Sequence, residues 1–206
     1  MPRPKTLTPA AIAVAALAVI DRAGLAALSM RAVATELGMA PMSLYRYVAD
    51  REELEGLVVD LLLADVDTTP PPRVSWQRKV AVLVERSREA VGAHPEAVPL
   101  TLTHRHVSPS LLRWSESVLG VLTAAGFAGE DRVIALRSLL AHLIGSIQLE
   151  HLGPLSGSAT VAMAGLDTDE HPLLAETARV ARGVPAREEF RRGLDVLLRG
   201  LGNPAG

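Results

Sequence analysis

Two short helical segments separated by a glycine constrain this chain more than any other part of its sequence. They lie in residues 29–54, SMRAVATELGMAPMSLYRYVADREEL. Helices packed this closely need a small side chain where they cross, which Ala34 supplies, and Gly38 tolerates a positive φ in the turn. This pattern predicts a helix-turn-helix, in which the second helix lies in the major groove of DNA. An ordinary helical hairpin with a glycine in its turn is the alternative.

Capping residues predict where these helices begin. Ser29 is placed to cap the first helix, and Pro41 suits the first turn of the second because its missing N–H costs nothing there. Asp50 and Glu53 have the spacing of a capping box at the start of the next helix. Three apolar side chains are predicted to form the shared core: Val33, Leu37 and Leu44.

The same segment resembles the tetracycline-repressor (TetR) family of bacterial transcription regulators. The resemblance rests on Leu37-Gly38, on Leu44-Tyr45-Arg46-Tyr47 and on Arg51, and it is strong over residues 8–62. Tyr47 stands where the family often has His, and Val48 where it often has Phe. The resemblance implies an all-α fold with two domains. Residues 1–50 would form a three-helix bundle with the helix-turn-helix, and residues 51–206 a larger helical ligand-binding and dimerisation domain.

Composition agrees with a helical protein whose two parts differ in charge. Apolar residues make up 49% of the 206 residues but aromatics only 3%, and no stretch alternates apolar and polar residues as a strand does. Residues 1–51 carry six basic and three acidic side chains, so their net charge is +3 while the whole chain carries −2. The remainder therefore carries −5. A basic N-terminal part on an acidic body suits attraction to phosphate at one end only.

The N-terminus imitates a secretory signal, with Arg3 and Lys5 before the apolar run Ala10–Ile20. We interpret the run as a helix instead, capped by Thr8 and ended by Gly24. The run is shorter than the roughly 18 apolar residues of a membrane span, so no membrane partner is expected. The chain has no cysteine. A cytoplasmic location is predicted from DNA binding and not from composition.

Helical periodicity continues through the rest of the chain. Residues 99–109 are predicted to be irregular, and residues 154–172, rich in small and polar residues, to be a mobile loop. Helices are predicted over residues 51–65, 76–91, 110–125, 131–151, 172–182 and 185–201.

Seven side chains are candidates for contacting DNA. Met42, Ser43 and Arg46 are expected to meet base edges, and Arg46 has the bidentate geometry that guanine O6 and N7 require. Phosphates are assigned to three others, namely Tyr45, Tyr47 and Arg51. Arg31 is expected to reach the backbone or a base. Tyr45 has an alternative role in the core, and Arg3 and Lys5 either follow the minor groove or form a solvated tail.

The resemblance also implies a homodimer in which residues 131–151 and 186–201 pair with their copies as a four-helix bundle. The residues offered are Val133, Leu136, Leu140, Leu143, Ile144, Ile147, Phe190, Leu194, Leu197, Leu198 and Leu201. The alternative is that both apolar stripes only close the core of the monomer. Paired recognition helices predict a palindromic operator with half-sites about 34–36 Å apart or somewhat more.

Candidates for lining a small-molecule cavity are Leu83, Ser87, His104, Arg105, Trp114, Val118 and His142. The run His104-Arg105-His106, and His142 with Glu150, invite a metal interpretation. No set of three or four converging ligands is visible in the sequence, so no metal and no cofactor are predicted. The effector itself is not identified.

A ligand-controlled repressor is the function we predict, released from its operator when a small molecule binds. Two other classes remain as alternatives, an all-helical enzyme and a ligand-binding adaptor without specific DNA binding. The sequence contains no nucleophile elbow, phosphate loop, HExxH motif or paired-carboxylate arrangement, so no catalytic residue is assigned.

Overall fold

The computed structural model describes residues 7–104 and 106–202, and in that part of the chain all regular structure is helical. Two 3₁₀ turns, Leu25–Ala27 and Pro95–Ala97, join longer elements. The α-helices are α1 (Pro9–Ala23), α2 (Met30–Glu36), α3 (Pro41–Leu44), α4 (Arg51–Leu63), α5 (Trp76–Gly92), α6 (Leu100–Thr103), α7 (Pro109–Ala124), α8 (Gly129–Leu152), α9 (Ser158–Ala164), α10 (Pro172–Ala181) and α11 (Ala186–Gly200). The predicted all-α fold is confirmed.

α1 is a helix of the folded protein, as predicted, with a cap at each end. The Thr8 side chain accepts a hydrogen bond from the Ala11 N–H at 3.2 Å, which satisfies one of the unpaired donors of the first turn. Gly24 ends the helix with a φ of 79°. The buried face of α1 includes Ile12 and Ile20, both fully inaccessible to solvent. It packs against α2 and α4.

The turn between α2 and α3 is a Schellman motif. Gly38 has a φ of 66°, its N–H donates to the Thr35 carbonyl at 3.0 Å, and the Met39 N–H donates to the Ala34 carbonyl at 2.9 Å. The positive φ predicted at Gly38 is therefore confirmed. Ala34 is fully buried at the α2 crossing.

Ser29 and Asp50 cap α2 and α4, as predicted. The Ser29 Oγ accepts from the Ala32 N–H at 3.1 Å, and the Asp50 Oδ1 accepts from the Glu53 N–H at 2.9 Å. The reciprocal half of the predicted capping box differs. The Glu53 carboxylate accepts from the Ala49 N–H at 2.7 Å, one residue before the cap.

The described chain divides into two compact units, each made of two discontinuous segments. Unit 1 contains residues 7–69 and 86–118, and unit 2 contains residues 70–85 and 119–202, within the described ranges. α5 and α7 each contribute residues to both units. The domain boundary predicted after residue 50 stays a prediction, and it marks the start of α4 rather than the edge of a compact unit.

The core of unit 1 is built from aliphatic side chains of α1 to α4. Leu44, Leu54 and Val58 are fully buried, and so is Val33. Leu37 was predicted to belong to this core but is only half-buried, because it lies at the end of α2, where the chain turns away. Within α3, Leu44 lies in this core, whereas Pro41 and Met42 are exposed.

Unit 2 is centred on α8 and α11, which contact each other. The His142 ring lies 5.0 Å from the Phe190 ring, and its Nε2 lies 3.1 Å from the Phe190 carbonyl oxygen. Trp76 and Phe127 form an edge-to-face pair at 5.1 Å. A Cβ on Gly193 would lie 2.7 Å from the His142 ring, so α8 and α11 approach closely because this residue has no side chain.

The apolar stripes predicted to pair in a dimer are partly used inside the chain. Five of their members are buried within unit 2: Leu143, Ile147, Phe190, Leu194 and Leu198. For these five, the alternative that the stripes close the monomer core is correct. α8 nevertheless leaves Val133, Ile134, Leu149 and Leu152 more than half exposed, and α11 leaves Val196 exposed.

Two irregular regions of the prediction contain helices. Residues 99–109, predicted to be irregular, include the single turn α6. Residues 154–172, predicted to be a mobile loop, include α9, which packs against α10. The Ala and Met residues of α9 favour a helix, and the glycines and prolines that flank it concealed the short helical run.

Candidate nucleic-acid interface

α3 is one turn of α-helix that the backbone extends by further hydrogen bonds. The Tyr47 N–H donates to the Leu44 carbonyl at 2.9 Å, and the Val48 N–H donates to the same carbonyl at 3.2 Å. Leu44 is fully buried and Val48 is 1% exposed, so these two are the buried anchors of the recognition segment (residues 41–48), and α3 packs against α2. The remaining side chains of the segment are exposed, except that of Ser43, which is half-buried.

The predicted base readers and their aromatic neighbours lie at the surface. Met42 is 77% exposed and Arg46 is exposed, while Ser43 is half-buried. Tyr45 is 47% and Tyr47 38% exposed. The alternative that Tyr45 belongs to the core is wrong, since nearly half of it is accessible. Together, an exposed methionine and two exposed tyrosines form an apolar patch of the kind that is typical of a binding surface.

The cationic side chains here differ in whether a carboxylate already holds them. The Arg22 Nη2 lies 2.7 Å from the Glu36 Oε2, and this hydrogen bond with its charge raises the pKa of Arg22. The Arg51 Nε lies 2.6 Å from the Glu55 Oε1. Arg31 and Arg46 are exposed and make no ion pair with any described residue. These two therefore offer full positive charges to a polyanion.

Arg3 and Lys5, predicted either to follow the minor groove or to form a solvated tail, lie outside the described residues, and so does Arg105 of the predicted ligand set.

The other six candidates for lining a ligand cavity divide between the two units. Ser87, His104, Trp114 and Val118 are buried in unit 1, whereas Leu83 and His142 belong to unit 2. The set is therefore not gathered within either unit, and its role stays a prediction.

Both histidines of that set have polar partners. The His104 Nε2 lies 3.2 Å from the Glu55 Oε2, and its Nδ1 lies 2.9 Å from the Thr103 Oγ1. The His142 Nε2 contacts the Phe190 carbonyl oxygen. No group of three or more His, Cys, Asp or Glu side chains placed to hold a metal ion occurs among residues 7–104 and 106–202.

Sequence reasoning missed a polar cluster where α1, α4 and α5 meet in unit 1. A cavity of about 620 Å³ lies there, lined among others by Leu17, Leu61, Arg86 and His94. His94 Nδ1 lies 2.8 Å from the Asp21 carboxylate, and Arg86 donates to the Asp67 and Thr69 carbonyls at 2.9 and 2.8 Å. These pairs join residues up to 73 positions apart, which no local pattern signals.

Asp60 joins α4 to the start of α7. Its Oδ1 accepts from the Ser110 N–H at 2.8 Å and from the Ser108 Oγ at 3.1 Å. Burial acts to raise the pKa of Asp60, but the hydrogen bonds from Ser110 and Ser108, with the nearby charge of Arg113, outweigh it and lower that pKa. The carboxylate is thus an N-terminal cap for a helix distant in sequence.

One helix of the described residues, α8, has the length and the apolar composition that crossing a membrane requires. Its buried side chains Leu139, Leu143 and Ile147 pack within unit 2, where α8 contacts α11. A core helix of a soluble protein passes the same test.

Most of the chain matches two models of one protein family. Residues 12–54 match the model of bacterial regulatory proteins of the tetR family, and residues 69–204 match that of the tetracyclin repressor-like C-terminal domain. The chain belongs to the TetR family. The two matches cover the helix-turn-helix and the larger helical part in the expected order.

Individual TetR-family proteins are similar to this chain along most of their length. A helix-turn-helix transcriptional regulator of Saccharopolyspora erythraea is 29% identical over 205 residues, covering 97% of this chain and 86% of the relative. The class D tetracycline repressor protein of Escherichia coli is 26% identical over 193 residues, covering 91% and 85%. The crystal structure of Streptomyces coelicolor ActR in complex with (S)-DNPA is 26% identical, covers 97% and 98%, and has a TM-score of 0.81.

The family supplies the class of function. TetR-family proteins are ligand-responsive, sequence-specific DNA-binding regulators of transcription, and they act as dimers. The predicted family, fold and function class are therefore confirmed. The family is one of transcription regulators, so it gives no support to the alternative that the chain is an enzyme.

Proposed function

We propose that this chain is a homodimeric repressor that reads its operator with Met42, Ser43 and Arg46. The observation that carries this proposal is the state of Arg46, which is exposed beside α3 and makes no ion pair with any described residue. A free guanidinium is suited to bidentate recognition of guanine in the major groove. Exposed Met42 provides an apolar contact for a thymine methyl group.

Phosphate contacts are proposed for the side chains around this reader. Tyr45 and Tyr47 present exposed hydroxyl-bearing rings on the recognition segment, and Arg51 is half exposed at the first residue of α4. Arg31 adds a free charge from α2. Such contacts fix the register of a protein on the duplex while the base contacts supply the sequence preference.

The dimer is proposed to pair α8 and α11 with their copies. The support is the apolar surface that these helices leave uncovered, with Ile134, Leu149 and Leu152 of α8 each at least 60% exposed and Val196 of α11 also at 60%. An exposed apolar surface on the family's dimerising part is typical of an interface between subunits.

The effector is proposed to be a small organic molecule that shifts α4 when it binds and so releases the operator. ActR, which is 26% identical, has been solved with (S)-DNPA and with actinorhodin. α4 carries Arg51 at its first residue and contacts α6, so its displacement reaches the DNA contacts. Binding of effector and operator would be reciprocally linked. Because its target is DNA, the protein is expected in the cytoplasm.

The decisive experiment selects binding sites from random duplex DNA with the purified protein at two salt concentrations. We expect a palindromic consensus whose enrichment falls as salt rises, because several cationic contacts release counterions. Only sequence-blind binding, or no binding, would contradict the proposed repressor. The selected site then provides the assay for screening effectors.

Arg46→Ala tests the proposed base reader directly. We expect the affinity for the selected operator to fall roughly 5- to 150-fold, as the loss of one bidentate base contact predicts. Affinity for unrelated DNA should change much less. Titration of both duplexes by fluorescence anisotropy measures the difference. Arg182→Ala is the matched control, since Arg182 is exposed at the end of α10. Undiminished specificity in Arg46→Ala would remove Arg46 as the reader.

A further inference from the structure

One carboxylate of α4 is shared between a proposed DNA contact and a buried histidine. The Glu55 Oε1 lies 2.6 Å from the Arg51 Nε, and the Glu55 Oε2 lies 3.2 Å from the His104 Nε2. The Glu55 side chain is 13% and the His104 side chain 8% exposed. Arg51, in contrast, is 50% exposed. The three groups form a line from the interior of unit 1 to its surface.

His104 is fixed so that its Nε2 faces Glu55. It follows the last residue of α6, and its backbone N–H donates to the Leu100 carbonyl at 2.9 Å. The other ring nitrogen lies 2.9 Å from the Thr103 Oγ1. The His104 Nε2 thus lies in close contact with the Glu55 Oε2, and a carboxylate oxygen can only accept a hydrogen bond from that nitrogen.

Glu55 contacts Arg51 at its Nε and not at the two terminal nitrogens that can bind a phosphate. Its Nε is engaged by Glu55, which leaves both terminal nitrogens of the half-exposed guanidinium available. The helix dipole disfavours a cation at the first residue of a helix, and a carboxylate one turn later offsets this by pairing with it. Glu55 supplies that partner with one oxygen while His104 occupies the other.

Residues 107–110 also contact α4. A Cβ on Gly56 would lie 3.1 Å from the Val107 Cγ2, so Val107 rests directly on the helix backbone there. Ser108 and Ser110 hydrogen-bond to Asp60. The contacts of His104, Val107 and Ser108 therefore hold these three residues along α4 on both sides of Gly56.

We propose that Glu55 and His104 are positioning residues for DNA binding, which hold the Arg51 guanidinium in its phosphate-contacting orientation. His104 fixes the Glu55 carboxylate, and the carboxylate fixes Arg51. Displacement of His104 from α4 then frees Arg51 from its fixed orientation and costs one ordered phosphate contact. The inference rests on the proposed function, since it assumes that Arg51 contacts DNA.

The test compares the salt dependence of operator binding for Arg51→Ala, His104→Leu and the double variant of the full-length protein. Loss of one phosphate contact lowers the magnitude of the slope of log K against log salt by about 0.9, so a homodimer that carries Arg51 twice should lose about 1.8. We expect this fall in Arg51→Ala, a fall approaching it in His104→Leu, and no further fall in the double variant. His104→Gln keeps an N–H donor near the Nε2 position, so it should retain most of the wild-type slope.

Controls separate positioning from charge and from folding. Glu55→Gln has one acceptor oxygen instead of two and should also lower the slope, whereas Glu52→Gln removes an exposed charge of the same helix and should not. His106→Asn controls for loss of an exposed histidine. Thermal unfolding identifies any variant that fails to fold, and Glu55→Gln, at a more exposed site, then carries the test in place of His104→Leu.

The two ways of failing are distinguishable. A normal slope in Arg51→Ala would overturn the phosphate role of Arg51, and the inference with it. A lowered slope in Arg51→Ala with a normal slope in both His104→Leu and Glu55→Gln would overturn the positioning role alone. A His104→Leu effect that persists undiminished in the Arg51→Ala background would assign His104 a structural role instead.

Discussion

At the scale of single residues, the arginines near the recognition segment fall into two kinds. Arg22 and Arg51 are held by Glu36 and Glu55, and Arg31 and Arg46 are held by no carboxylate among the described residues. A surface ion pair adds little stability, so these pairs matter more for orientation than for folding. The unpaired arginines keep their whole charge for DNA.

Gly38→Ala should destabilise the protein by about 1–2 kcal/mol. Open space surrounds the position, since a Cβ there would meet no atom within 4 Å, but its φ of 66° is left-handed. An alanine pays that conformational penalty in the folded state. Urea unfolding measures the loss, and Gly120→Ala, in an exposed part of α7 with equal space, should not be destabilising. Equal stability of both variants would refute the strained-turn explanation.

Residues of the turn and caps were predictable because their signals are local. Thr8, Ser29, Gly38 and Asp50 each act within four residues of their own position. The partners of Glu55 and Asp60 could not be predicted in this way. Glu55 contacts His104, and Asp60 contacts Ser108 and Ser110, each about 50 residues away in sequence. Side-chain contacts at that separation follow from packing and leave no periodic pattern.

At the scale of elements, α4 is held at several points along its length. Asp50 caps its first turn, Glu55 contacts His104, and Asp60 caps the start of α7. The helices themselves were predicted well where apolar periodicity was long. α6 and α9 were missed because four and seven residues are too few to establish a period.

Asp60→Ala should cost about 1–3 kcal/mol of unfolding free energy at pH 7, because the Ser110 N–H loses its acceptor at the start of α7. The pKa of Asp60 is lowered in the folded protein, so its contribution is complete above the ordinary carboxyl pKa and is lost as pH falls through the folded value. The difference from wild type should therefore shrink below about pH 4.

Urea unfolding of both proteins at pH 7 and at low pH measures this difference. Asp65→Ala, an exposed carboxylate just beyond α4, is the control and should leave stability nearly unchanged at either pH. A cost for Asp60→Ala that is as large at low pH as at pH 7 would exclude the ionised carboxylate as its source.

At the scale of the whole molecule, dimerisation is expected to decide whether the operator is read. Leu149→Glu places a charge on a residue that is 64% exposed in the single chain, so the fold of the monomer should survive. In the proposed interface the same charge would be buried without a partner, which disfavours association. We expect a shift from dimer to monomer and a large loss of operator affinity, since one recognition helix contacts only a half-site.

Sedimentation equilibrium measures the association, and anisotropy titration measures the affinity. Leu173→Glu is the matched control, because Leu173 is 76% exposed on α10 outside the proposed interface. A Leu149→Glu protein that remains dimeric at the same concentrations would place the interface elsewhere.

Because unit 1 is built from two separate chain segments, chimaeric regulators are harder to engineer from this chain. Joining residues 1–50 to another protein's body looks like the natural cut, but it separates Asp21 from His94 and removes residues 86–118 from the unit to which they belong. A cut after residue 69 has the same defect. A transplant that keeps the reader's native surroundings must carry two discontinuous segments, so designers would do better to exchange individual side chains of residues 42–47 in place.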